Sequence, residues 1–146
     1  MKVLIQRVNH AQVRVGEEVV GKIENGLLVF LGIGKDDTED AVDYLVEKIV
    51  NLRIFSNDTG KFDLSLLDAK GEVLVVSQFT LYGNCDKGRR PDFFESADPV
   101  RATQLYKSFV HRLKEKNIET QTGEFGAYMK VELENDGPVT FMLESK

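Results

Sequence analysis

Residues able to do chemistry are few in this chain, and they gather in two short stretches. The first is Ser77-Gln78-Phe79-Thr80, where an apolar run ends and a loop rich in glycine and charge begins. Binding residues concentrate where a strand meets a loop, so this is a place for a ligand. Thr80 is a candidate nucleophile, but its hydroxyl needs a base and the sequence sets none beside it. Backbone N–H groups around Phe79 and Thr80 offer another route, polarising a carbonyl as an oxyanion hole. The plain alternative is a strand that simply finishes in polar residues. The second stretch is NDGPVT, Asn135 to Thr140, with Met129, Val131 and Leu133 alternating before it and Val139, Phe141 and Leu143 after it. Pro138 removes a backbone donor and fixes φ at about −65° where the next strand begins. One reading is an ordinary turn, since proline is tolerated as a strand's first residue. The other is a cis Gly137-Pro138 bond, which turns neighbouring carbonyl oxygens to one side, toward a ligand.

Other chemistries find no residues. His10, His111 and Cys85 stand at no zinc-binding spacing. No nucleophile elbow, P-loop or dinucleotide fingerprint occurs. A hydrolase relying on histidine or a metal is disfavoured, and neither metal nor cofactor is expected. Positive charge clusters in KGRRPDF, with Lys87, Arg89 and Arg90. Such a run is either solvated surface or, through the arginine fork, a grip for phosphate. The formal net charge of −5 argues against a protein held to nucleic acid by bulk electrostatics, but not against a local basic site.

The elements that must position these residues follow from pattern. KVLIQRV, AQVRV, EVVGKI and LLVFLGIG read as a meander of strands, with Asn25-Gly26 as a hairpin signal. The run from Leu27 to Ile33 is nearly all apolar and predicts a strand buried on both faces. Asp36, Asp37 and Thr38 offer caps for a helix ending near Leu52, with Val42, Leu45, Val46 and Ile49 as its buried face. NDTGKFD is a turn, and EVLVVSQFTL is the central strand. A loop of about fifteen residues, from Tyr82 to Ser96, carries the basic cluster, and loops that long are functional or disordered. Asp98 and Pro99 start a second helix, Leu105, Tyr106, Phe109, Val110 and Leu113 give it an apolar stripe, and Asn117 stops it. Two strands joined by the Gly-Pro turn finish the chain.

The expected fold is therefore α+β: one strand-rich domain over residues 1–146, a mostly antiparallel, barrel-like sheet with two main helices. No run approaches the ~20 apolar residues of a membrane span, and MKVLIQRVNH is too short and polar for a signal peptide. The one cysteine excludes an internal disulfide and fits a reducing cytosol, so a cytoplasmic protein is expected.

Taken together these stretches resemble the D-aminoacyl-tRNA deacylase family, also called D-tyrosyl-tRNA deacylase. LIQRV, GLLVFLGI, RIFSNDTGKFDLSL, VLVVSQFTLYG, KGRRPDF and TQTGEFGAYMKVELENDGPVTF carry the likeness over nearly the whole chain. Both signature motifs, SQFT and N-x-G-P-V-T, are intact and in order. The resemblance implies a homodimer with active sites at the subunit interface. It implies that Ser77, Gln78, Phe79 and Thr80 surround the ester of a D-aminoacyl-tRNA. It further implies that Gly137 and Pro138 form a cis pair inserted from one subunit into the other's pocket, screening chirality, with Arg7 bracing the turn. Oxyanion stabilisation by the Phe79 backbone, with the terminal ribose 2′-OH activating water, is preferred to Thr80 as nucleophile. Glycyl-tRNA is a further implied substrate. Arg89 and Arg90 are expected near acceptor-end phosphates; Asp92, where the family commonly has serine, sits against that patch. No membrane or DNA partner is expected. Two other classes stay open: an RNA-binding module without catalysis, and a structural dimer whose turn only locks the subunit contact.

Overall fold

The computed structural model describes residues 1–145. Its spine is β1 (Lys2–Val15), and on one edge β8 (Lys130–Glu144) runs antiparallel along nearly all of it. On the other edge, β2 (Glu18–Ile23) pairs with the C-terminal half of β1 and β3 (Gly26–Gly32) with the N-terminal half. From β3 the sheet continues in parallel to β6 (Glu72–Ser77) and then β7 (Thr120–Thr122). The sheet nearly closes where β2 comes back onto β7. A Cβ at Gly21 would lie 2.2 Å from the Thr122 carbonyl oxygen, so only glycine lets the two backbones approach this closely.

Period-two alternation divides the central strands between two cores. Leu27, Val29, Leu31, Val73 and Val75 face α1 (Glu39–Asn51) and α3 (Pro99–Glu115). Leu28, Leu74 and Val76 face inward with Val8, Ala11, Val13 and Ile23. Burial on both faces is why these runs read as continuously apolar. The caps are as expected for α3, where Asp98 accepts from the amides of Val100 and Arg101, and Asn117 takes φ 61° just past its end. Thr38 occupies the N-cap of α1 without a side-chain bond; Asp37 instead accepts from the Gly34 amide.

The strand-rich α+β class with its barrel-like sheet is found. Several local expectations are corrected. KVLIQRV and AQVRV are one strand, not two. Asn25-Gly26 makes no hairpin: β2 and β3 lie end to end along the same edge of β1, so the chain only bends there. The halves flanking Gly137-Pro138 are not two strands reversed by a turn. Both pair antiparallel with β1, from Arg14↔Lys130 to Val8↔Asn135 and again from Gln6↔Thr140 to Lys2↔Glu144. The residues between bulge out opposite Arg7, which re-aims a strand without ending it. The meander stops at β3, because a helix crossover is needed to reach the parallel strand β6. A third helix, α2 (Leu66–Ala69), is capped by Ser65 and Asp68 in a reciprocal box, and β4 (Phe55–Ser56) pairs with β5 (Phe62–Leu64) across the Asn57 turn. No helix among the described residues is long and apolar enough to cross a membrane.

Candidate active site

Strand β6 ends at Ser77, and one 3-10 turn, Phe79–Tyr82, follows at once. The change of period lifts Ser77, Gln78 and Phe79 to the wall of a cavity of about 510 Å³. Its other walls are mostly apolar: Leu31 and Val76 from the sheet, Ile33 just past the end of β3, Pro99 and Ala102 from α3, and the 125–129 loop with Phe125, Tyr128 and Met129. Size and lining suit a nucleoside-sized ligand held by a few polar groups. The start of the 3-10 turn leaves backbone donors open. The Gln78 amide bonds the Leu31 carbonyl and the Leu81 amide the Gln78 carbonyl, but the amides of Phe79 and Thr80 bond no other described residue. Thr80 itself lies on the exposed rim, outside the cavity wall, its hydroxyl held by the Gln78 side chain. No histidine, carboxylate or amine adjoins that hydroxyl as a base, and no cluster able to hold a metal occurs among the described residues.

Tyr106 ties two walls of the cavity to α3. Its hydroxyl donates to the Val75 carbonyl at 3.1 Å, and its ring lies 5.6 Å from that of Phe125. Burial pushes its hydroxyl up to about 12. The unfolded chain releases this proton near pH 10 while the folded chain keeps it, so stability falls as pH rises from about 10 to 12. Urea unfolding at pH 9, 10 and 11 should show that fall, and Tyr106→Phe should lessen it, the remainder coming from Tyr82, whose hydroxyl is also pushed up by burial and by Asp37.

The Gly-Pro turn lies elsewhere in the chain. The Gly137-Pro138 bond is cis, and both residues are exposed. None of residues 135–140 lines the cavity, so one chain does not bring SQFT and the turn together. What holds the turn is clear. Arg7 is only 8% exposed, and β1's alternation turns it to the side of Val3 and Ile5. Its Nε donates to the Asp136 carbonyl at 2.9 Å, and Nη1 donates to the Ile54 carbonyl at 3.0 Å and Ser56 Oγ at 3.2 Å. A buried guanidinium needs such partners, so it fixes the turn against β4. Asn135 clasps the turn from inside: its Oδ1 accepts from the Val139 amide at 2.7 Å, and its Nδ2 donates to the Val139 carbonyl at 3.2 Å and Gln6 Oε1 at 3.0 Å. Arg89 and Arg90 sit at the tip of a loop closed by paired backbone bonds between Asn84 and Asp92. They are exposed and make no ion pair among the described residues.

A family model described as D-Tyr-tRNA(Tyr) deacylase matches residues 4–144. The chain belongs to this family. A D-aminoacyl-tRNA deacylase of Thermosipho melanesiensis is 60% identical over 147 residues, covering 100% of this chain and 98% of that protein. One from Aquifex aeolicus is 54% identical, with 100% and 99% covered. Among solved structures, a c-Myc DNA Unwinding Element Binding Protein superposes with a TM-score of 0.94 at 42% identity, covering 100% of this chain and 99% of that one. A probable eukaryotic D-amino acid tRNA deacylase has a TM-score of 0.85 at 19% identity, with 98% of each chain covered, and so shares the fold. The deacylase family is, by its name, one of hydrolases.

Within this deacylase chain, three residues went unnoticed in the sequence: Asn135 as the turn's clasp, and Phe125 and Tyr128 as cavity walls. GEFGAYM did carry a signal, since aromatic residues between glycines and outside any strand or helix period are available to a ligand.

Proposed function

We propose that the protein hydrolyses the ester joining a D-amino acid to the 3′-terminal adenosine of tRNA, and leaves the L-ester intact, as a chirality proofreader of translation in the cytoplasm. The observation that carries this is the pair of unbonded amides, Phe79 and Thr80, beside an apolar cavity of nucleoside size. The adenine packs against Phe125, Tyr128 and Met129, and Ser77 and Gln78 flank the ester. Its carbonyl oxygen meets the two amides as it becomes an oxyanion. In other hydrolases one such donor contributes about 3–4 kcal/mol. Water, activated by the ribose 2′-OH, adds to the carbonyl carbon. The 3′-oxygen leaves with a proton, releasing amino acid and tRNA.

The chain acts as a homodimer in which the Gly137-Pro138 turn of each subunit enters the partner's cavity. Gly137 and Pro138 face the α-carbon there. A D-aminoacyl group turns its side chain away from this wall, and an L-aminoacyl group drives it in. Arg7 and Asn135 support the reading by making the wall unyielding. A glycyl ester has no side chain to reject and is also accepted. No DNA partner is proposed: a net charge of −5 argues against holding a duplex by bulk electrostatics, and the local basic loop is assigned to tRNA.

Mixed dimers test the arrangement. Gly137→Ala spoils the turn and Ala127→Trp fills the cavity, and each homodimer should lose D-selective hydrolysis. Co-refolded subunits should regain it, because one of the two sites then joins an intact cavity to an intact turn. Failure to regain it would leave each chain working alone. Arg89→Glu with Arg90→Glu should weaken tRNA binding and shrink the slope of log affinity against log salt by roughly 1.5–2. An unchanged slope would return the patch to plain surface and the protein to other RNA contacts.

A further inference from the structure

Exposed aromatic rings lie at the cavity wall and in the segment that follows the basic loop. Phe79 belongs to the cavity wall yet is 54% exposed. Its ring meets that of Phe93 edge to face, centroids 4.9 Å apart. Phe94 follows, 76% exposed, with Lys35 Nζ 4.2 Å from its ring centre. Exposed rings grouped beside a cavity mark an interaction site, where single exposed rings would not.

We propose that Phe93 and Phe94 are a stacking platform for the unpaired nucleotides that precede the terminal adenosine. This rests on the deacylase reading and adds to it the path of the single strand. Three observations favour nucleic acid over a protein segment as the occupant. Phe93 packs on Phe79 of the wall of the cavity assigned to the last nucleoside, which offers the strand a path out across the rings. Lys87, Arg89 and Arg90 make no ion pair among the described residues, and they lie on the loop that the Asn84–Asp92 bridge closes beside Phe93. Neither neighbouring acid ties up the loop's arginines: Glu95 pairs with Lys35 at 3.2 Å, and Asp92 Oδ1 accepts from the Phe94 amide at 3.3 Å. Aromatic faces flanked by cations are how proteins hold single strands without reading their sequence.

The test uses two substrates and one exposed residue. Phe94→Ala removes a ring that packs on little of the protein, so the fold is retained; circular dichroism confirms it. The platform predicts that KM for D-tyrosyl-tRNA rises about tenfold, as expected for one lost base stack, with kcat little changed. It also predicts that hydrolysis of D-tyrosyl-adenosine, which has no preceding nucleotides, is unaltered, and that Phe94→Trp restores the tRNA KM. Unchanged kinetics on tRNA, or an equal loss on both substrates, would overturn the platform. Hydrolysis of neither substrate by the unaltered protein would instead sink the deacylase reading itself.

Discussion

Alanine at Gly137 is expected to cut the ratio of D- to L-ester hydrolysis by about 100-fold, with dimers and fold retained. A Cβ there would lie 2.6 Å from Val139 Cγ2 and 2.6 Å from the Val139 amide nitrogen. Neither neighbour can yield freely. Val139 is buried, and its amide is held by Asn135. The turn itself must therefore move, by about an ångström, and misplacing an active-site group that far can cost about 10²-fold. Pro138→Ala acts in the same direction by freeing the φ that the ring fixes. Initial rates on D- and L-tyrosyl-tRNA, with dimer mass by light scattering, decide the matter. A collapse of the ratio in intact dimers supports the chiral wall. Weaker dimers with an unchanged ratio would make the turn a subunit lock and nothing more.

How this turn is held shows what could be read in the sequence. Its chemistry was visible because Gly-Pro between two alternating runs is a conspicuous choice. Its architecture was not. An alternating run on each side says that both are strands, but not whether the chain reverses between them; that depends on pairing with β1, far away in sequence. The same limit misplaced Asn25-Gly26, whose local preference for a hairpin lost to the long strand β1 offering both halves one edge. Helices did better, since Asp98, Pro99 and the stripe from Leu105 to Leu113 are local signals that the packing agrees with. Of the site, Ser77 to Phe79 could be found at a strand end. The cavity walls could not, because α3, β3 and the 125–129 loop meet only in the fold.

Removing the ribose 2′-OH is expected to slow hydrolysis far more than removing the Thr80 hydroxyl. A tRNA ending in 2′-deoxyadenosine and carrying a D-amino acid should react at least about 100-fold more slowly, the scale of a lost proton-transfer group. Thr80→Ala should lose less than about tenfold, since no base adjoins this rim hydroxyl to make it a nucleophile. Single-turnover rates separate the two contributions from binding. If Thr80→Ala were inactive and the deoxy substrate normal, the threonine would be the nucleophile and an acyl-enzyme should be trapped by acid quench. Gln78→Ala, which frees the Thr80 hydroxyl without removing it, distinguishes a positional effect from a chemical one.

The most direct measurement is deacylation of D-tyrosyl-tRNA and L-tyrosyl-tRNA by the purified protein, each with and without a chelator. Rapid loss of the D-ester alone is expected, at the same rate in chelator. Equal loss of both esters would contradict the chiral wall built from Gly137 and Pro138. Loss of neither, with tRNA still bound, would contradict the enzyme.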